Sequence, residues 1–184
     1  MTSAIKFGIV GCGHIGKRHA EMVKRHPEAE LVAVCDPRPI SETGADQYGV
    51  PVFTDMETML RELPDIDVVN VCTPNGLHAK QSLRALEARK HVVCEKPMGL
   101  SKAECEEVLY KALQMHRTVF GVMQNRYSPP SQWIKSVIDE KRLGGIFMVQ
   151  VNCYWNRDER YYKKGGWKGT KELDGGTLFS VDVK

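Results

Sequence analysis

No stretch of this chain approaches the ~18 uninterrupted apolar residues a membrane span requires, and no charged N-terminal segment leads into an apolar run with a small-residue cleavage site. The cytoplasm is therefore the expected compartment, with no membrane partner. Charge of one sign is lacking too. The 26 basic and 23 acidic residues leave a net +3 with no basic stripe, too little and too dispersed for a nucleic-acid footprint. None of the six cysteines (Cys12, Cys35, Cys72, Cys94, Cys105, Cys153) falls in a C-x-x-C pair. Four lie on or beside apolar runs, where a thiol acts as a small buried hydrophobe, so core packing is expected rather than a metal site or a disulfide framework. Low-complexity tracts are absent, as is any repeat beyond a strand-helix alternation. With 16 glycines and 9 prolines in 184 residues, composition is that of a folded chain. Length allows one α/β domain of ~120 to 150 residues with some chain left over, but not two domains of ordinary size.

What the chain does have is a series of short apolar runs: Ile5 to Val10, Leu31 to Cys35, Pro51 to Phe53, Val68 to Cys72, His91 to Cys94 and Thr118 to Met123. They are rich in valine and do not alternate cleanly, which is how strands covered on both faces read. Segments of helical length separate them, and two open on an apparent capping box, Thr54 with Glu57 and Ser101 with Glu104. The order predicts an α/β fold, a Rossmann-like doubly wound parallel sheet, over residues 1–125. Ser128 starts a further helix with Pro129 and Pro130 in its first turn and Gly144 and Gly145 at its end. From Ile146 to Tyr154 the pattern alternates, as in an antiparallel or mixed strand. Residues 126–184 are thus expected to be a linker helix and the incomplete start of a second, α+β domain for substrate and oligomerisation.

The sharpest local signal is Gly11-Cys12-Gly13-His14-Ile15-Gly16, directly after the first strand and opening a helix. Gly11 suits the tight turn, Gly13 a close approach of backbone to pyrophosphate, and Gly16 close packing of helix on strand. The amides of His14, Ile15 and Gly16 at the helix start would receive the phosphates. Asp36, twenty residues past Gly16, stands where a carboxylate accepts hydrogen bonds from both adenosine ribose hydroxyls and repels a 2′-phosphate. NAD is the expected cofactor. Arg38 keeps NADP open, since a guanidinium could fold over the 2′-phosphate. A sulfonium-dependent methyl transferase is a weaker alternative, because the third glycine suits pyrophosphate packing.

Two later motifs fall at the carboxyl edge of the sheet, where open α/β folds bind ligands. Thr73-Pro74-Asn75 with His78 follows the fourth run, and Glu95-Lys96-Pro97 follows the fifth. Asn75 and His78 are candidate ligand contacts, although an N-cap and a first-turn polar residue would look the same. Lys96 could donate to a substrate oxygen or relay its proton during hydride transfer, or could be an ion-paired surface lysine.

Together these motifs resemble the glucose–fructose oxidoreductase, inositol dehydrogenase and rhizopine-catabolism (Gfo/Idh/MocA) family of NAD(P)-dependent oxidoreductases. The later stretches Gln124 to Tyr127, Trp155-Asn156-Arg157, Gly166-Trp167-Lys168-Gly169-Thr170 and Asp174-Gly175-Gly176 look like the branch that oxidises the 3-hydroxyl of UDP-linked N-acetyl-hexosaminuronic acids for bacterial surface polysaccharides. The resemblance implies pyrophosphate at Gly11, Gly13 and Gly16 and ribose at Asp36. Thr73, Asn75, His78 and Glu95 would lie toward the inner end of the cofactor. Lys96 would be the catalytic lysine, often held by a cis bond before Pro97. Arg126, Arg157, Trp167 and Lys168 would face the nucleotide sugar. In such proteins a helix after the paired glycines bears a histidine that works with the lysine, whereas here Ser180 to Lys184 shows none. The 184 residues alone are therefore expected to bind dinucleotide without completing catalysis, with homo-oligomers expected of a full-length form. A non-catalytic NAD-binding module and a dehydrogenase of a free sugar or polyol remain the alternatives.

Overall fold

All six apolar runs become strands of one sheet, because Val, Ile and Cys side chains project to both faces and need cover on each. The computed structural model describes residues 4–152, 154, 156–159, 161, 162 and 164–175. In chain order the elements are β1 (Ile5–Val10), α1 (His14–Arg25), β2 (Ala29–Cys35), the single turn α2 (Ile40–Thr43), β3 (Val52–Phe53), α3 (Met56–Glu62), β4 (Val68–Val71), α4 (His78–Glu87), β5 (His91–Cys94), α5 (Lys102–Gln114), β6 (Val119–Gly121) and α6 (Pro129–Asp139). The strands lie in the order β3-β2-β1-β4-β5-β6 and every pairing is parallel. After β3 the chain crosses to the other side of β1, so the carboxyl ends of β1 and β4 diverge into the crevice where such sheets take ligands.

The core divides by sheet face. On one side Met59 and Leu60 of α3, Ala85 and Leu86 of α4, and Val108 and Ala112 of α5 pack on Val10, Cys35, Val69, Val71, Val92 and Cys94. On the other, Ala20 and Val23 of α1 pack with Ile9, Cys12, Leu31, Val34, Tyr48 and Cys72. Cys12, Cys35, Cys72 and Cys94 are buried and unpaired, as expected of core thiols. Burial, with the nearby Asp55 and Asp36 charges, pushes the Cys35 thiol up to about 12, and burial raises Cys94 to about 11.

The row of register partners Val34, Ile9, Asn70, Val93 and Phe120 runs across five strands on the α1 side. Its first two members are fully buried, whereas Phe120 at the far end is 55 % exposed. Among the described residues the α1 layer therefore stops near β4 and leaves the β5–β6 end of this face bare. Helix α6 buries none of its residues, and Trp133, Ile134 and Ile138 on it are exposed.

Four expectations change. The cap of α3 is Asp55, whose carboxylate accepts from Thr58 N at 2.8 Å, rather than Thr54. An anionic acceptor one residue on gives a charge-assisted bond to the same end amides. Ser101 does cap α5, accepting from Glu104 N at 3.2 Å, but Glu104 returns its hydrogen bond to Leu100 N at 2.6 Å instead of to Ser101. Helix α6 ends at Asp139, well before the glycines, in turns where Lys141 and Gly144 take left-handed backbone. Lastly, residues 146–152 form no strand, and Phe147, Met148, Val149 and Val151 are exposed. Strand pairing needs a neighbour for each backbone N–H and C=O, and no segment among the described residues pairs with this one.

Candidate functional site

The turn between β1 and α1 is shaped by what its glycines exclude. Gly11 has φ +92°, and a Cβ on it would lie 2.7 Å from the Cys72 carbonyl oxygen of the adjoining strand end. A Cβ on Gly16 would overlap the Gly11 carbonyl oxygen itself, so helix and strand approach only because Gly16 has none. Gly13 differs, since a Cβ there would meet nothing within 4 Å. It is the N-cap of α1, without a side-chain capping bond, and the amides of His14, Ile15 and Gly16 follow it. An open cradle lined by end amides at the positive end of a twelve-residue helix fits a pyrophosphate.

Asp36 sits at the end of β2, 3 % exposed. Its Oδ2 accepts from Cys12 N at 2.7 Å and from Arg38 Nη2 at 2.8 Å, and its Oδ1 accepts from Arg38 N at 3.0 Å and Arg38 Nε at 2.9 Å. Burial works against ionisation, but the Arg38 and Cys12 hydrogen bonds outweigh it and hold the carboxyl below the usual carboxylate range. The group is a fixed anion beside the glycine turn.

At the same edge, polar side chains that sequence reading assigned to ligands turn out to hold loops together. His78, 1 % exposed, places Nε2 2.7 Å from the Thr73 carbonyl oxygen and Nδ1 2.7 Å from the Pro97 carbonyl oxygen. It clamps the loop after β4 to the loop after β5, and its side chain does not reach the open edge. Asn75 is buried as well, and its Nδ2 donates to both the carbonyl oxygen and Oδ1 of Asp174 at 3.1 Å. Thr73 Oγ1 donates to Gln81. Glu95 faces inward: Oε1 is 3.0 Å from His19 Nε2, and Oε2 accepts from Lys96 N at 3.3 Å. His19 Nδ1 in turn lies 3.0 Å from Asn70 Nδ2. Because the carboxylate only accepts and the amide nitrogen only donates, the chain runs Asn70 to His19 to Glu95, with His19 carrying its proton on Nε2. Lys96, half-buried, follows at the mouth, and the Lys96–Pro97 bond is cis.

Sequence reading missed His19 and Asn70, and gave Asp174, though part of a quoted motif, no role of its own. Asn70 did leave a trace, as the one polar residue in the run Val68-Val69-Asn70-Val71. A buried polar side chain needs a partner, and facing α1 it finds His19.

The later residues partly converge. Arg157 lies 4.4 Å and the Lys168 ammonium 3.7 Å from the ring centre of Tyr161. Trp167 starts a turn in which its carbonyl oxygen accepts from Thr170 Oγ1 at 2.7 Å, and Asp174 Oδ2 closes that turn by accepting from Gly169 N at 2.7 Å. The turn is moored to the sheet edge through Asn75 and through Gly76 N, which donates to the Leu173 carbonyl oxygen at 2.9 Å. A Cβ on Gly76 would overlap the Glu172 carbonyl oxygen, so the contact requires glycine. Arg126 stands in an exposed single turn after β6. Trp155, Gly176 and the histidine-free stretch Ser180 to Lys184 lie outside the described residues.

A parallel sheet of this order, with an open glycine cradle and a buried acid at the end of β2, defines a dinucleotide-binding Rossmann domain. Residues 5–122 match the family model GFO_IDH_MocA, described as an oxidoreductase family with NAD-binding Rossmann fold, and the chain belongs to that family. It is 33% identical to inositol 2-dehydrogenase of Rhizobium meliloti over 80% of this chain and 44% of that protein. It is 32% identical to D-glucoside 3-dehydrogenase of Escherichia coli over 95% of this chain and 50% of that protein. Among solved structures it is similar to the WlbA dehydrogenase of Chromobacterium violaceum, crystallised with NADH and UDP-GlcNAcA, at 37% identity and a TM-score of 0.91, covering 97% of this chain and 52% of that one. Scyllo-inositol dehydrogenase of Lactobacillus casei, with bound NAD(H) and scyllo-inositol, gives 32% identity and a TM-score of 0.72 over 77% of this chain and 43% of that one. The chain thus spans about half the length of the relatives it matches.

Proposed function

We propose that this chain belongs to a cytoplasmic NAD-dependent dehydrogenase that oxidises a sugar hydroxyl, the 3-hydroxyl of a UDP-linked N-acetyl-hexosaminuronic acid, in supply of a surface polysaccharide. The observation that carries the substrate class is the extent of likeness. The match to WlbA covers 97% of the chain, through the Arg157 to Asp174 stretch, whereas the match to scyllo-inositol dehydrogenase covers 77%. Bound NAD would supply the hydride acceptor. Gly11, Gly13 and Gly16, with the amides of His14 and Ile15, bind its pyrophosphate, and Asp36 accepts from its adenosine ribose. Thr73, Asn75, His78 and Glu95 shape the inner end through the loops they hold. Lys96 Nζ exchanges a proton with the sugar oxygen as the C–H bond breaks. Arg126, Arg157 and Lys168 bring positive charge for a diphosphate and a uronate carboxylate, and Trp167 offers a ring to the sugar or base.

We assign residues 1–125 to the dinucleotide domain and 126–184 to a linker helix and the start of the substrate domain. The bare β5–β6 face and the exposed side of α6 are where such a domain, and through it a homo-oligomer, would pack. A free sugar or glucoside is the second reading, favoured by the glucoside dehydrogenase relative that covers 95% of the chain.

Calorimetric titration of the purified chain is expected to give NADH at least ~10-fold tighter than NADPH, about 1.4 kcal/mol, because a 2′-phosphate meets the Asp36 carboxylate. Equal or tighter NADPH binding defeats the cofactor assignment. Reduction of NAD with UDP-N-acetylglucosaminuronate, but not with myo-inositol or methyl glucoside, supports the substrate class in a form that turns over. The reverse selectivity defeats it.

A further inference from the structure

Within the protein itself, four N–H groups fill the acceptor sites of the Asp36 carboxylate. A carboxylate presents roughly four lone-pair sites. Two are taken by backbone amides, Cys12 N on Oδ2 and Arg38 N on Oδ1, which the chain path fixes. The other two, again one on each oxygen, are taken by the Arg38 side chain, Nη2 on Oδ2 at 2.8 Å and Nε on Oδ1 at 2.9 Å. A ribose has two hydroxyls to place on that carboxylate, and the sites held by the guanidinium are the removable pair. The two ends of the ion pair differ in freedom. The Asp36 side chain is 4 % exposed and the Arg38 side chain 49 % exposed, so the arginine can swing into water while the aspartate stays.

We infer that Arg38 is a specificity-determining residue that acts as an internal competitor for the ribose site, occupying one for one the acceptor positions the ribose hydroxyls need. The inference rests on the proposed NAD site and adds a residue to it. NADH binding displaces the guanidinium, and its observed affinity is lowered by the strength of the Arg38–Asp36 pair. Once displaced, the same guanidinium stands two residues from Asp36, placed to meet a 2′-phosphate if one arrives. Arg38 thus narrows the preference for NADH from both sides: it opposes NADH and favours NADPH.

The test is NADH and NADPH titration of the wild-type chain, Arg38→Met and Arg38→Lys, followed by calorimetry, with thermal melts to verify folding. Arg38→Met keeps the aliphatic stem and removes both donors. It is expected to tighten NADH about fivefold, the equivalent of about 1 kcal/mol for a half-exposed ion pair, and to weaken NADPH. Arg38→Lys, which keeps the charge but cannot fill both sites as a fork, should tighten NADH by less. Unchanged or weaker NADH binding by folded Arg38→Met, with wild type binding normally, overturns the inference alone. Absence of NADH binding by the wild-type chain overturns the cofactor reading and this inference with it.

Discussion

Replacing Gly16 with alanine is expected to unfold the glycine turn and abolish dinucleotide binding, whereas the same change at Gly13 should cost binding and leave the fold intact. The new methyl at Gly16 would occupy the position of the Gly11 carbonyl oxygen, an atom of rigid backbone, with the Cys72 side chain 3.5 Å away on the other side. Neither neighbour can rotate aside. Helix α1 must lift from β1, and with it go the contacts of Ala20 and Val23 in the core beneath. Overpacking a tight site costs ~1–3 kcal/mol and sometimes more, and a clash with backbone belongs at or beyond the top of that range, a large part of a small domain's stability. At Gly13 a methyl meets no protein atom within 4 Å, and its extended backbone suits alanine. The methyl would instead fill the space a pyrophosphate needs. Denaturant melts and NADH titration on both variants separate the outcomes. A Gly16→Ala chain as stable as wild type, or a Gly13→Ala chain that binds NADH normally, would show the cradle to be misassigned.

Lys96→Met is expected to lower turnover ~10²-fold or more while changing NADH affinity little, in a form of the protein that turns over the sugar. The reason lies in how the lysine is held. Its predecessor Glu95 is fixed by His19 on the glycine-turn helix, and its successor Pro97 has its carbonyl oxygen fixed by His78 on α4. The backbone of Lys96 is thereby pinned from both sides, to α1 and to α4. Methionine preserves the stem and removes the ammonium, so binding and folding should survive and proton exchange should not. Steady-state kinetics beside NADH fluorescence titration reads the split. Equal losses of turnover and NADH affinity, or no loss, would return Lys96 to a structural role.

The doubly wound fold was legible because it rests on local signals. Strand β1 and strand β5 have the bounds their apolar runs predict, and the tight turn at Gly11 and the close helix packing at Gly16 follow from spacing alone. Function at the sheet edge was only half legible, for a reason that Asn75 and His78 share. Sequence position put both at the carboxyl edge of the sheet, where they lie, but whether a polar side chain there faces ligand or protein depends on what lies across from it. For Asn75 that is Asp174, 99 residues away. For His78 it is the carbonyl oxygen of Pro97, 19 residues away. The run from Ile146 failed differently. Its alternation is a statement about faces, and a strand also needs an edge to pair with.

The buried thiols make the two halves of this core separately countable. Cys35 and Cys94 belong to the layer beneath α3, α4 and α5, and Cys12 and Cys72 to the layer beneath α1. A thiol-specific alkylating reagent reaches each pair only when its own layer opens, and each adduct adds one mass increment to the peptide that carries it. If the sheet comes apart as one unit, all four cysteines gain label at a single rate, that of global unfolding. If the α1 layer, which leaves the β5–β6 end bare, peels away first, Cys12 and Cys72 are labelled ahead of Cys35 and Cys94. Four natural cysteines thus time the opening of each face of the sheet, with no probe introduced by mutation.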